Sequence, residues 1–485
     1  MDLVAGVDSS TQSTKVLLCR ADDGTVVGSA SAPHPDGTEC HPDHWWDALT
    51  AAGRGLLEQA DAIGVGAQQH GMVTLDAAGA VVRDAMLWND VKSAPQAAAL
   101  VAEFGGAAEW AARTGSVPTM SFTVAKLRWL AENEPANAAR VHRVVLPHDW
   151  LTWRLAGGGP GDGPGGGPGG GPGGGASVEP TTDRGDASGT GYFSPAAGAW
   201  RPDLAEAALG HPVGVPRVAR PAEVVGHTGW GAAVSAGTGD NMGAALGLGL
   251  RPGDVAVSVG TSGTAFAVTE VAADDPSGAV AGFADATGRF LPLVCTINAG
   301  LVLSATASML GTDLDGLSAL ALAAQPGAEG ITLLPYLDGE RTPDRPGATG
   351  VLRGITTRNA SQENLARAAV EALLASLADA ADRIIGAEGR APDRVLLIGG
   401  GARSEAVRRL APGIFFSSVL VPEPEEYVAL GAARQAAWAL AGTPEPPDWP
   451  QRPAASYTGP PQPAIRERHA ALRDDTAAWD ERTGL

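Results

Sequence analysis

The sequence predicts an α/β protein built from two similar domains that face one cleft. Three observations carry that expectation. Strand-like apolar runs alternate with helical stretches through most of the 485 residues. One device occurs twice: VAGVDSSTQSTKVLL near the start and VAVSVGTSGTAFAV at 255–268 are each a hydrophobic strand, a turn rich in hydroxyls, and a second strand. Glycine is abundant, with 66 residues beside 36 prolines, yet its excess is local. Residues 157–175 form a PGGG-repeating insertion whose period of four rules out a collagen helix, and the remainder has ordinary globular usage.

The elements follow in order. Residues 3–7 (LVAGV) and 16–19 (VLLC) read as strands around a polar turn, and 46–60 has helical apolar spacing with Trp45 and Trp46 at its start. Residues 63–68 form a buried strand entering a polar loop, 122–133 a helix, and 143–146 another strand. Gly161, Gly163 and Gly166 satisfy GxGxxG inside the insertion, but no strand precedes them and no helix follows, so the match carries no meaning. Strands at 255–259 and 265–268, a long helix at 361–387, a strand at 394–398 and a helix at 427–440 complete the pattern. The expected domains are 1–235, 236–445, and a tail at 446–485 that is helical and packs back on the first domain.

Composition removes several classes of function. Lys and Arg number 34 against 54 Asp and Glu, a net charge of −20 without any basic run. Such a field repels phosphate backbones and anionic lipid, so neither nucleic acid nor a membrane surface is an expected partner. No window has the apolar length of a membrane span, and the start lacks the basic and apolar regions of a signal peptide. Cys19, Cys40 and Cys295 are far apart and form no CxxC pair, which fits a reduced, cytoplasmic protein.

The candidate chemistry lies at turns and strand ends. Gly260, Thr261, Ser262 and Gly263 can form an anion-binding nest of amides and hydroxyls, or a plain hairpin turn. Asp8 closes the first strand, where a carboxylate either holds Mg²⁺ through water or bonds its own turn; Lys15 either reaches a phosphate or decorates the strand. There is no GxxxxGK[ST] motif, which excludes a P-loop enzyme. Asp240, in SAGTGDNMGAALG, is either a helix N-cap or a base at a cleft. Gln68, Gln69 and His70 leave a buried strand at its C-terminal end, where α/β sheets bind ligands. Trp88, Asn89 and Asp90 combine an apolar plate with hydrogen-bonding groups, suited to a polyol or to loop anchoring. Gly399, Gly400 and Gly401 follow a strand and either admit a flat ring or make a tight turn.

At these residues the sequence resembles the FGGY carbohydrate kinases, and within them the xylulokinases. The resemblance runs over roughly residues 3–440. It rests on SFTVAKLRWLAEN (121–133), GVLRGITTRNASQENLARAAVE (350–371), LPYLDGERTP (334–343), GTSGT, LIGGGARSE and EEYVALGAA (425–433). The resemblance implies two actin/ribonuclease-H-like domains, with ATP, Mg²⁺ and a sugar in the cleft between them, and a homodimer. It implies Asp240 as catalytic base and Gln69, His70, Trp88, Asp90 and Asn241 as sugar contacts. Asp8, as the metal residue, falls with Thr11 and Lys15 on the first phosphate turn. Gly260 and Thr261 fall on the second, and Gly400, Gly401 and Ala402 lie beside the adenosine.

Three positions depart from the pattern: Ser10 stands for a glycine in the first turn, Gln69 for an apolar residue in the sugar loop, and Thr238 for a glycine before Asp240. The implied reaction is ATP-dependent phosphorylation of D-xylulose at its 5-hydroxyl. The alternatives are another ketose or pentitol, such as ribulose or a deoxyketose, or a nonenzymatic actin-like nucleotide scaffold.

Overall fold

Both faces of the opening strand are apolar, and the fold buries both. In β1 (Leu3–Ser9), Ala5 and Val7 enter a core that also holds Ile63, Val65, Trp45 and Trp150, while Val4 on the other face joins Leu17, Ala62, Ala429 and Ala433. The protein is described here by a computed structural model covering residues 2–159, 178–385 and 391–479. The chain divides into two units, neither contiguous in sequence. The first comprises Met1–Gly249, Thr269–Leu291 and Glu426–Gln451, and the second Leu250–Val268, Pro292–Glu425 and Arg452–Leu485.

In the first unit β1 pairs antiparallel with β2 (Ser13–Arg20), which pairs antiparallel with β3 (Val26–Pro33). On its other side β1 runs parallel to β4 (Ala62–Ala67), followed by β5 (Ala233–Ser235), parallel to β4. The helix α1 (Pro42–Gly53) starts earlier than the apolar spacing suggests, because Pro42 sits in its first turn and His41 caps it. Trp45, at its start, is wholly buried edge-on to Trp150, with ring centroids 6.5 Å apart.

The other face of this sheet is covered by α2 (Tyr427–Ala441), which returns from late in the chain. Glycine is required for that contact: a Cβ on Gly6 would lie 1.8 Å from the Ala429 carbonyl oxygen, and one on Gly64 2.2 Å from that of Ala432. The same helix meets the helix Asp240–Leu248 just as closely, through Gly431 against Gly243. The expected boundary at 235/236 therefore differs from the observed units. Both helices belong with the first sheet because backbone-to-backbone packing of small residues fastens them there.

The second unit repeats the topology. β6 (Asp254–Val259) and β7 (Gly263–Ala267) form the antiparallel hairpin, with β8 (Phe290–Thr296) antiparallel to β7. β9 (Arg394–Ile398) runs parallel to β6, and β10 (Ser418–Pro422) parallel to β9. The long helix Gln362–Ile385 packs on β7. The tail is helical over Pro463–Asp475, but its partner is this unit. Asp379 on the long helix accepts from Arg466 at 2.9 Å and Arg473 at 2.6 Å, and His469 is buried beside Ser376. Beyond its first three residues, the Gly/Pro insertion expected at 157–175 lies outside the described residues as far as 175.

Candidate active site

Parallel pairing brings three strand ends to one place in the first unit. Ser9 is level with Ala67, and Gly239 is also level with Ala67. The residues that follow are the turn at 10–12, the loop at 68–70, and Asp240 with Asn241. Distant stretches of sequence are thereby gathered at the C-terminal ends of adjacent strands.

Asp240 is the first residue of its helix, with Gly239 as the cap. Its Oδ1 accepts from the Asn241 amide at 2.7 Å and from Asn241 Nδ2 at 2.9 Å. Burial, reinforced by the charge of Asp8, nevertheless pushes its carboxyl up to about 7. Asp8 is itself buried and pushed up to about 6 by that burial, against a 2.6 Å hydrogen bond from Ser10 Oγ. Ser10, where a glycine was the family expectation, has no positive φ and uses its hydroxyl on the neighbouring carboxylate.

The sugar-loop residues are held from several sides. Gln69 Oε1 accepts from Asn241 Nδ2 at 3.1 Å, while its buried Nε2 has no hydrogen-bond partner. A polar residue at this position thus aligns with Asn241, the residue after Asp240, and presents a donor. His70 has φ +67°, a left-handed conformation that costs on the order of 1–3 kcal/mol outside glycine. Its Nδ1 donates to the Gly189 carbonyl at 2.6 Å, and its ring lies 4.8 Å from Phe122 and 5.9 Å from Phe283. Its carbonyl accepts from Thr123 Oγ1 at 3.2 Å and Lys126 Nζ at 3.1 Å. Lys126 is fully buried, and burial pushes its amine down to about 7 against the opposing charge of Asp90.

The other predicted residues divide. Trp88 is 43% exposed and donates its Nε1–H to Thr11 Oγ1 at 2.8 Å, which joins a candidate sugar contact to a candidate phosphate residue. Asp90 is buried and accepts from Thr38 Oγ1 and the Lys92 amide, both at 2.9 Å, bonds that anchor the loop and leave acceptor capacity on both carboxylate oxygens. Lys15 lies opposite Asp8 across the hairpin, 3.9 Å from its carboxylate. It is engaged at 2.6 Å by Glu426, a partner no local spacing could announce.

The second unit gathers its own set. Ser258 is level with Ile398, so the turn at Gly260–Ser262 and the glycines at 399–401 leave adjacent strand ends. The three turn residues are exposed; the Gly260 carbonyl accepts from the Gly300 amide at 2.8 Å, and that of Thr261 from the Leu301 amide at 3.3 Å. Gly399 has φ +88°, and a Cβ on Gly401 would meet Val259 Cγ1 at 2.3 Å, so both serve the packing. Gly400 has open space around it, and Ala402 is buried.

Sequence reasoning left out a buried charge cluster behind Asp240. His148 Nδ1 donates to Asp186 Oδ2 at 2.6 Å and lies 3.3 Å from Asp149. Burial alone would lower the imidazole, but the charges of Asp149 and Asp186 outweigh it and raise the ring to about 9. The TTDRGDASGT stretch that supplies Asp183 and Asp186 carries an N-capping pattern, the one local signal of it.

Comparison with known proteins follows the same outline. The N-terminal domain of the FGGY family of carbohydrate kinases matches residues 3–247, and the C-terminal domain matches 255–440. The xylulose kinase of Streptomyces coelicolor is 47% identical over 456 residues, covering 91% of this chain and 88% of that protein. That of Streptomyces rubiginosus is 46% identical over 459 residues, with the same coverage. The crystal structure of xylulose kinase from Bifidobacterium adolescentis superimposes with a TM-score of 0.90 at 44% identity, covering 97% of this chain and 99% of that one.

Proposed function

The chain belongs to the FGGY family of carbohydrate kinases, and from that premise we propose that it transfers the γ-phosphoryl group of ATP to the 5-hydroxyl of D-xylulose. A sugar kinase is a phosphotransferase acting on an alcohol group, so the site must supply a base, a sugar-binding loop and phosphate contacts. The observation that carries the reading is Asp240, a desolvated carboxyl near pH 7 held beside Gln69 by Asn241. The similarity to the two Streptomyces xylulose kinases supplies the sugar.

Asp240 accepts the hydroxyl proton as the sugar oxygen bonds to phosphorus and the bond from phosphorus to the ADP oxygen breaks. A base of this kind contributes about 10²–10⁴-fold, and positioning contributes much of the rest. Gln69 Nε2, His70 and Asn241 orient the sugar hydroxyls, and Trp88 offers an apolar face to its carbons. Gly260 and Thr261 provide amides and a hydroxyl for phosphate, and the open backbone at Gly400 admits the adenosine.

Asp8, a buried carboxylate pushed up by that burial and braced by Ser10, offers oxygen ligands that suit a hard divalent cation. Asp8 would hold Mg²⁺ through water, and the ion would supply charge neutralisation at the phosphate oxygens. No helix among the described residues is long and apolar enough to cross a membrane, and no disulfide joins Cys19, Cys40 and Cys295. The cysteines suit the reducing compartment in which we place the enzyme.

The test is kcat/KM across D-xylulose, ribulose, a deoxyketose, xylitol and glycerol, with ATP as donor. D-xylulose is expected to give the highest value. Preference for another sugar would reassign the substrate, and ATP binding with no phosphorylation of any polyol would overturn the assignment.

A further inference from the structure

Three consecutive residues lead into Asp240, and each rests on a different buried partner. A Cβ on Gly237 would lie 2.5 Å from His148 Cδ2, and the Gly237 carbonyl accepts from Gln435 Nε2 at 3.0 Å. Gly239 packs against the Gln69 side chain, where a Cβ would come within 2.8 Å of Cγ. Between them Thr238, wholly buried, donates its hydroxyl to Asp183 Oδ2 at 3.1 Å.

Asp183 is the N-cap of the short helix Arg184–Ser188, accepting from the Gly185 amide at 3.0 Å and the Asp186 amide at 2.8 Å. Asp186 within that helix holds His148. At the other end Gly189 takes the Nδ1–H of His70. One segment of seven residues therefore touches the approach to the base at its start and the substrate histidine at its finish.

We propose that Thr238 and Asp183 are positioning residues that fix the carboxyl of Asp240, and that residues 183–189 hold base and sugar histidine in one register. This rests on Asp240 being the base. Thr238 stands where the family resemblance led us to expect glycine, so the hydroxyl contact adds a constraint that glycine could not make. A misplacement of about 1 Å at a reacting group can cost on the order of a hundredfold in rate. Every residue of the segment except Arg184 is buried, so it has little freedom to shift unless a contact is removed.

The experiment compares Thr238→Val, which keeps shape and removes the donor, with Thr238→Ser, which keeps the donor. Steady-state kinetics with D-xylulose and ATP are read beside thermal unfolding. Thr238→Val is expected to lower kcat about ten- to a hundredfold with the KM for ATP unchanged. Thr238→Ser is expected to recover most of the wild-type rate, and both variants to unfold cooperatively. A Thr238→Val enzyme with wild-type kcat, or a Thr238→Ser enzyme as impaired as Thr238→Val, overturns the inference. A wild-type chain inactive on every sugar of the panel overturns the functional reading and this inference together. Wild-type turnover beside an equally active Thr238→Val overturns the inference alone.

Discussion

The ammonium of Lys126 lies 3.1 Å from the carbonyl oxygen of His70 and also donates to the carbonyl of Ser121. An uncharged amine still has two donor hydrogens, so both bonds survive the deprotonation that burial brings close to neutrality. Replacement by methionine keeps most of the volume but leaves the His70 carbonyl one donor short, a loss of about 1–3 kcal/mol. Lys126→Met is therefore expected to raise the KM for sugar about tenfold or more while leaving the KM for ATP unchanged. Initial-rate measurements with each substrate varied in turn check this.

Asp240→Ala removes the proposed base and is expected to lower kcat by about 10²–10⁴-fold with ATP binding intact. Calorimetric titration with ATP, alongside turnover, separates the two properties. Retention of more than about a tenth of kcat would count against the assignment.

The pH dependence has a definite sign. Asp240 must be ionised to accept a proton, and its carboxyl stands at about 7, so activity is expected to fall as pH drops through 7. For stability the direction is opposite. The folded value is raised above the unfolded 3.8, so the wild-type fold is progressively penalised as pH rises from about 4 to 7, and fully so above 7. Asp240→Asn is accordingly expected to melt higher than wild type at pH 8, with the gap closing toward pH 4 in thermal scans.

The three glycines at 399–401 make a graded test. Gly401→Ala pushes a methyl into Val259 and is expected to lower the melting temperature. Gly400→Ala meets no atom of the protein, so the fold is expected to stay intact while the KM for ATP rises about tenfold, one contact's worth of about 1.4 kcal/mol. Equal behaviour of the two variants in both measurements would remove Gly400 from the nucleotide site.

What could be read from the sequence was whatever lies within a few residues. Strands at 3–9, 62–67, 254–259 and 394–398 and the turns after them were legible, because a buried strand ending in a polar or glycine turn is a local pattern. Asp240 at a helix start was legible for the same reason. The partners were not: Gln69 and Asn241 are 172 residues apart, Lys15 and Glu426 411 apart, and no periodicity encodes either pairing. The unit boundary was missed because Gly6, Gly64, Gly243 and Gly431 look like weak positions in a sequence, although they are where backbones touch.

The helix Tyr427–Ala441 has a consequence for how the protein is made. β1 and β4 emerge from the ribosome well before it: the surface that covers one face of them is encoded some 360 residues after β4 ends, a separation that makes such pairing slow. Until then the glycine-lined side of that sheet has no cover, and the half of the enzyme that carries Asp240, Gln69 and His70 cannot finish folding on its own. A nascent chain released before residue 427 would hold every residue proposed for the acceptor site and still lack the means to assemble it.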